Sequence, residues 1–479
     1  MRLPIILILS LFFFTGTAQK LTKLKKEALE ETSALSSQVH DLCQKLWDYS
    51  ETALREKQSA ELLTNVLKTE GFSIESGVAG MPTAFVATFG SGSPTIGILA
   101  EYDALPGVGN APVPYKEPRK DGLTSGQGCG HNLFGSACVN AAISVKRLME
   151  KGKFSGTIKL FGTPAEETVV GKVYMANAGV FDGLDAVLEW HPSQENKVNY
   201  ESSLAMNNFE VEFFGQAAHG AGDPWNGRSA LDAVEMMNYG VNLMREHVYP
   251  STRIHYVIPR AGDAPNVVPE YAKVWYYVRD TSRSNVEKYY TRILKIAEGA
   301  ALGTATTHEV TLITGVHEYN LNKPMLEAIQ KNLQLVGPPE FTEKEQMWAR
   351  ELQSSTNKPE KGFNTVIELM PEGWEELSPT GGSTDVAEVS FIAPTAGFGV
   401  ATAPQEVPWH SWATSASHGT VAGYKGAEIA TKVLVLSAVD LFTDDKLLAD
   451  AKSYFLKKTR GKAYKSPIPP DQKVILPDE

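Results

Sequence analysis

From Lys20 to about Val66 the apolar positions recur at helical spacing, as in LSSQVHDLCQKLWDYSETALREKQSAELLTNVL, and this predicts helix through the region. Short apolar runs follow, each closed by polar residues: TAFVATFG, TIGILAEYDALPG, GTIKLFGTPAEET and LDAVLEWHPS. Between the second and third lies HNLFGSACVNAAISVKRLMEKG, helix-like and ended by Lys151 and Gly152, a C-terminal signal. Strands alternating with helices predict an α/β domain with a mostly parallel sheet.

The pattern then changes. NNFEVEFFGQAAHG, STRIHYVIPRAG, EYAKVWYYVRD and EVTLITGV read as strands, with SALDAVEMMNYGVNLMREHV and SNVEKYYTRILKIAEGAALG as helices among them. This predicts a compact α+β unit over 203–315, inserted into a first domain made of 19–202 and 316–445, with a C-terminal helix and tail over 446–479. APVPYKEPRKDGLTS and the stretch around STNKPEKGF read as loops, and the proline-rich SPIPPDQKVILPDE as an irregular end.

Size and charge narrow the picture. A chain of 479 residues with 42% hydrophobic and 21% charged residues has enough apolar surface for two or three cores. The net charge of -11 argues against a nucleic-acid partner and suits a small metabolite. At the N-terminus, Arg2, an apolar run from Leu3 to Phe14 and the triplet Gly16-Thr17-Ala18 read as a signal peptide over residues 1–18, cut after Ala18. The run is shorter than the roughly 20 residues of a membrane span. Gln19 follows the site where a lipid anchor would need Cys. The mature chain is therefore expected to have no membrane span and to be exported, periplasmic or extracellular. Three cysteines cannot all pair in such a compartment. Cys43 and Cys138 lie in helical patterns as buried thiols, whereas Cys129 lies in the glycine turn GQGCGHNLFG.

Three of the apolar runs end in residues able to bind metal or move a proton: Glu101 and Asp103, Glu166 and Glu167, Glu189 and His191. In open α/β sheets, ligands bind beyond the carboxyl ends of the strands, so these residues are expected to meet at one edge. Cys129 and His131 would join them at the start of the next helix, where the dipole favours a thiolate. Alone, C-x-H is open to three readings: metal ligands, a nucleophile with its base, or a structural turn. Together with the strand-end acids and His191 it favours a metal site, with a donor set suited to zinc or manganese.

The runs ILAEYDALPGVG, GCGHNLFG, PAEET, EWHP, AAHGAGDPWNGRSALDA, PNVVPEY, GGSTDVAEVS and HSW occur in an order that resembles the metal-dependent aminoacylase and hippurate hydrolase-like amidohydrolases, a metallopeptidase family. The resemblance implies an α/β catalytic domain with the inserted α+β sandwich as a lid or dimerisation unit. It also implies cleavage of the amide of N-acyl or N-aroyl amino acids, or of small dipeptides, by two divalent metal ions. Cys129, His131, Glu167, His191 and His410 would be the ligands and Glu166 the general base. His219 would stabilise the oxyanion, reaching across a homodimer. Asn266, Arg279, Gly382 and Ser383 would contact substrate. His418, in HSWATSASHG, rivals His410. The resemblance also leaves room for a second, different subunit.

The chain departs from that pattern at Gln127, where relatives commonly have His, and at Asn132, where many have Asp. Two other classes stand beside the metalloenzyme reading: a cysteine hydrolase using Cys129 with His131, and an inactive peptide-binding relative.

Overall fold

A computed structural model describes residues 22–477 apart from 169, 378 and 380. The expected signal peptide and its cleavage site lie outside the described residues.

Eleven strands are named in chain order among the described residues: β1 (Ser73–Ser76), β2 (Phe85–Ser91), β3 (Thr95–Ala100), β4 (Gly156–Gly162), β5 (Ala186–Ser193), β6 (Lys197–Val198), β7 (Ala205–Phe214), β8 (Arg253–Arg260), β9 (Tyr271–Asp280), β10 (Thr307–Val316) and β11 (Thr395–Ala401). They form two sheets. The larger has the order β1-β2-β4-β3-β5-β11-β6. Its centre, β4-β3-β5-β11, is parallel, while β1, β2 and β6 pair antiparallel at its margins. This is the mostly parallel α/β sheet expected from the alternation of strands and helices.

Parallel strands bury both faces and read as near-continuous apolar runs, as β3 does with Ile96, Ile98 and Leu99 fully buried. Helix His131–Glu150 packs against β3, β4 and β5, and helix Val421–Thr443 packs against that helix. Both helices are buried nearly all round because both lie inside the layer. The helical stretch predicted from Lys20 to Val66 divides into three helices, Lys23–Ser33, Ser36–Tyr49 and Lys57–Thr69. Ser50, in the left-handed region at φ 40°, stops the second of these.

The second sheet is antiparallel, in the order β10-β7-β9-β8. Helices Ala230–Met244 and Arg283–Thr304 cover it. The fully buried residues of its core, including Phe209, Phe213, Tyr276 and Ile293, lie within 205–301, with Val310 and Leu312 packed against them, whereas the first core takes most of its residues from before and after that segment. The tail crosses from one to the other: the Gln472 side-chain amide donates to the carbonyls of Leu312 and Ile313 on β10, at 3.0 and 2.8 Å.

Candidate metal centre

The carboxyl ends of β3, β4 and β5 bring the strand-end residues to one edge of the parallel sheet. Glu101 and Asp103 follow β3, Glu166 and Glu167 follow β4, and His191 is the sixth residue of β5. Cys129 and His131 arrive from the turn that starts helix His131–Glu150. Between them, Gly130 has φ +86°, and a Cβ there would come within 2.8 Å of the Pro192 Cβ and 2.9 Å of the His418 ring. Only glycine fits that turn.

Cys129 Sγ lies 3.4 Å from His191 Nε2 and 3.3 Å from His410 Nε2. His410 Nε2 is in turn 3.5 Å from Glu167 Oε1, and His131 Nε2 is 4.0 Å from that same oxygen. Three groups of ligand atoms result among the described residues: Cys129 with His131 and His191, Cys129 with Glu167 and His410, and Glu101 with His131 and Glu166. The sulfur is common to the first two. All five residues expected as ligands from the resemblance are thus brought together.

The protons of these rings are fixed by their neighbours. His131 Nδ1 donates to Asp103 Oδ1 at 2.8 Å and His191 Nδ1 donates to the Pro192 carbonyl at 2.7 Å. His191 thus turns a bare Nε2 toward the cluster. His131, raised against its burial well above the imidazole range by Cys129, Glu101 and Asp103, sets Nε2 3.0 Å from Glu101 Oε2 as an ion pair whose proton a bound cation would displace. Asp103 does two jobs, because its other oxygen accepts the Glu167 backbone N–H at 3.0 Å. His418 is elsewhere. It is fully buried behind the turn, where its Nδ1 donates to the Gln127 carbonyl at 2.7 Å. Gln127 and Asn132 also serve this turn: Gln127 Oε1 accepts the Asn132 N–H at 3.0 Å, and the Asn132 amide donates to the carbonyls of Cys43 and His418.

Electrostatics favour cation binding. Burial, with His131 nearby, lowers His191 to about 4, and the same two causes lower His410. Both rings are neutral and free to coordinate near neutral pH. Glu167 is raised to about 7, chiefly by burial. Glu166 opens on the cavity at one edge, yet desolvation and the carboxylates of Glu101, Asp385 and Glu167 raise it well above the carboxylate range. Burial likewise raises the Cys129 thiol, Glu167 adding to the rise and His131 opposing it.

Whether these residues fit a cation is tested by their unpaired atoms. Glu101 Oε2, His131 Nε2 and Glu167 Oε1 are buried and without a hydrogen-bond partner. Buried polar atoms without hydrogen bonds are costly; in this cluster a proton on His131, or a cation in its place, satisfies them. The donor set, one sulfur with imidazoles and carboxylates, suits a divalent transition ion.

The cluster forms one wall of a cavity of about 620 Å³, whose lining also includes Arg279, Gly382 and Ser383. Arg279 reaches Ser383 Oγ at 3.4 Å, and its Nε is buried without a partner. His219 and Asn266 are outside this wall, exposed together on loops of the second sheet. There the Gly220 N–H donates to the Asn266 carbonyl. The backbone N–H groups of Ala221 and Gly222 donate to His219 Nδ1, which leaves its proton on the outward Nε2.

A family model described as peptidase family M20/M25/M40 matches residues 97–399. The chain belongs to that family. One of the p-aminobenzoyl-glutamate hydrolase subunits of Escherichia coli (strain K12) is 35% identical over 457 residues, covering 90% of this chain and 94% of that one. The Xaa-Arg dipeptidase of Mus musculus is 28% identical over 465 residues, covering 92% and 94%. Among solved structures, a Bacillus subtilis protein described as a dinuclear metal binding peptidase from the M20 family superposes with a TM-score of 0.53, at 18% identity and over 84% of this chain and 99% of that one. At that identity the likeness is one of fold.

Within this M20 site, three residues go beyond the set expected from sequence. Asp103 and Glu101 were visible as strand-end acids, but their contacts with His131 could not be read from spacing. Lys172, fully buried and bonded to Glu101 and Asp385 at 2.6 and 2.7 Å, gave no signal. A lysine five residues after a Glu-Glu pair reads as a solvated helix residue.

Proposed function

We propose that the chain hydrolyses the amide bond of an N-acyl or N-aroyl amino acid, or of a small dipeptide, at a centre of two divalent ions, zinc or manganese. The observation that carries this reading is the Cys129 sulfur set between two groups of imidazole and carboxylate donors, at the wall of a cavity that also presents Arg279. The names of the relatives, a p-aminobenzoyl-glutamate hydrolase and an Xaa-Arg dipeptidase, support that substrate class.

Cys129, His131 and His191 would hold one ion, and Cys129, Glu167 and His410 the other. When bound, the ions supply Lewis acidity at the reacting carbonyl. Glu166 takes a proton from the attacking water and returns it to the departing amine, for which a raised pKa is needed. Arg279 and the Gly382-Ser383 loop orient the substrate by its carboxylate, where the unpaired Arg279 Nε gains a partner.

His219 and Asn266 act in the site of a second copy, His219 Nε2–H donating to the developing oxyanion. Support for such a homodimer comes from the second sheet. Its edge strand β8 exposes Val257 and Ile258, and helix Ala230–Met244 exposes Tyr239 and Leu243, an open edge beside apolar side chains. Export is part of the same proposal. It rests on the Leu3–Phe14 run and the Gly16-Thr17-Ala18 triplet.

The test is turnover by the metal-reconstituted protein across N-acyl amino acids, aroyl-glutamates and dipeptides. Release of the free amino acid from at least one class is expected. No hydrolysis of any member, with metal bound, would contradict the proposal and favour a binding role.

A further inference from the structure

We propose that Glu101 is an additional ligand of the ion held on His131, and that Lys172 is the positioning residue that aims it. This rests on the two-ion reading above. Glu101 follows β3 and is 1% exposed. Its two oxygens are used differently. Oε1 accepts from Lys172 Nζ at 2.6 Å. Oε2 makes no hydrogen bond, although it is only 3.0 Å from His131 Nε2, which makes none either.

The ring explains that impasse. Asp103 takes one His131 N–H at Nδ1, and Nε2 faces Glu101 Oε2 at ion-pair distance, where the surrounding acidic groups favour a proton on that nitrogen or, in its place, a cation between the two atoms. Ligand atoms about 2.0–2.2 Å from a shared ion stand roughly 3.3–3.6 Å apart at tetrahedral angles and about 2.8–3.1 Å apart at right angles, so the 3.0 Å of this pair fits an ion that the two atoms meet at nearly 90°. Without an ion, each Glu101 oxygen has a charged partner, Lys172 for Oε1 and a protonated His131 for Oε2; with the ion bound, that ring proton leaves and Oε2 takes the cation in its place.

Lys172 keeps the carboxylate from turning away. Its ammonium also donates to Asp385 Oδ1 at 2.7 Å, and its backbone N–H donates to Asp385 Oδ2 at 2.8 Å. Asp385 closes the GGSTD loop that lines the cavity through Gly382 and Ser383. The chain Asp385–Lys172–Glu101 thus ties the substrate loop to one of the two ions.

The experiment is metal content of the full-length protein by elemental analysis after equilibration with graded chelator, with no substrate present. The unsubstituted protein is expected to hold two equivalents. Glu101→Gln, with an unchanged melting curve, should lose one equivalent at a chelator concentration at least about 100-fold lower while keeping the other, since even residues behind the ligands shift metal affinity about 10–100-fold. Lys172→Met should shift the same equivalent by a smaller factor. In the cobalt-loaded protein, Glu101→Gln should alter the d–d bands and leave the thiolate charge-transfer band of Cys129 in place. Should Glu101→Gln fail to fold, Glu101→Asp, which keeps the charge and withdraws the carboxylate by one methylene, must show the same one-ion loss. A variant that matches the unsubstituted protein at every chelator concentration, or loses both ions in step, overturns the assignment alone. An unsubstituted protein that holds fewer than two ions overturns the two-ion reading, and the assignment with it.

Discussion

Glu166 and Glu167 are neighbours in sequence, both line the cavity and both are raised chiefly by burial, but they meet different groups. Glu167 turns an unpaired oxygen toward His131 and His410, while Glu166 opens on the cavity with its pKa raised by burial and by Glu101 and Asp385. The backbone around the site is strained: Ala165 just before the pair is at φ 61°, Val170 three residues after it at 54°, and His410, from another segment, at 53°. Left-handed conformations are uncommon outside glycine and collect at functional sites. The division of labour predicts that Glu166→Gln keeps the full metal content and loses about 10²–10⁴-fold in turnover. Metal analysis beside steady-state rates checks this. A variant as active as the unsubstituted protein would remove Glu166 as the base.

At the scale of elements, the site depends on one turn. Gln127, Asn132 and His418 hold the segment before helix His131–Glu150 by side-chain bonds to backbone, and Gly130 lets Pro192 and His418 pack against it. Gly130→Ala should therefore destabilise the protein by about 1–3 kcal/mol, the usual range for a strained backbone position, and weaken metal retention. Denaturant unfolding of the pair measures it, and equal stability would mean the turn is less constrained than its contacts imply.

The strands β3, β4 and β5 were legible because each is a dense apolar run ending in acids or His. Strand β11, TAGFGVA, was not. It lies against β5, where Gly397 and Gly399 leave room for Glu189 and Ser193, so close approach rather than β-branched bulk decides its composition. Helix Glu343–Ser355 was missed for the opposite reason, its mostly polar surface giving only a thin apolar stripe. The ligand residues could be named from the joint motifs, but the buried chain from His131 through Glu101 and Lys172 to Asp385 could not. It joins positions far apart in sequence whose types, read singly, suggest solvent.

For the whole molecule, two separate cores mean that the cavity opens between units built on different sheets, with the tail reaching across through Gln472. His219 and Asn266 are exposed beyond the cavity wall, and on the proposed reading they complete the site of a second copy. Mixing inactive Glu166→Gln and His219→Ala proteins should then restore up to about a quarter of the unsubstituted activity, because random reassortment makes half of the dimers mixed and each has one intact site. No recovery on mixing would confine each site to its own chain. The same assays on the purified chain also decide whether a different subunit is required.

The central claim is that two ions on the Cys129 cluster run the hydrolysis. It is tested most directly by stripping the purified protein with chelator and titrating zinc or manganese back while following release of the amino acid product. The account predicts an inactive stripped protein whose activity returns and saturates at two equivalents per chain. Activity that survives complete metal removal yet is abolished by alkylating Cys129 would contradict it, and would make the thiol the nucleophile instead.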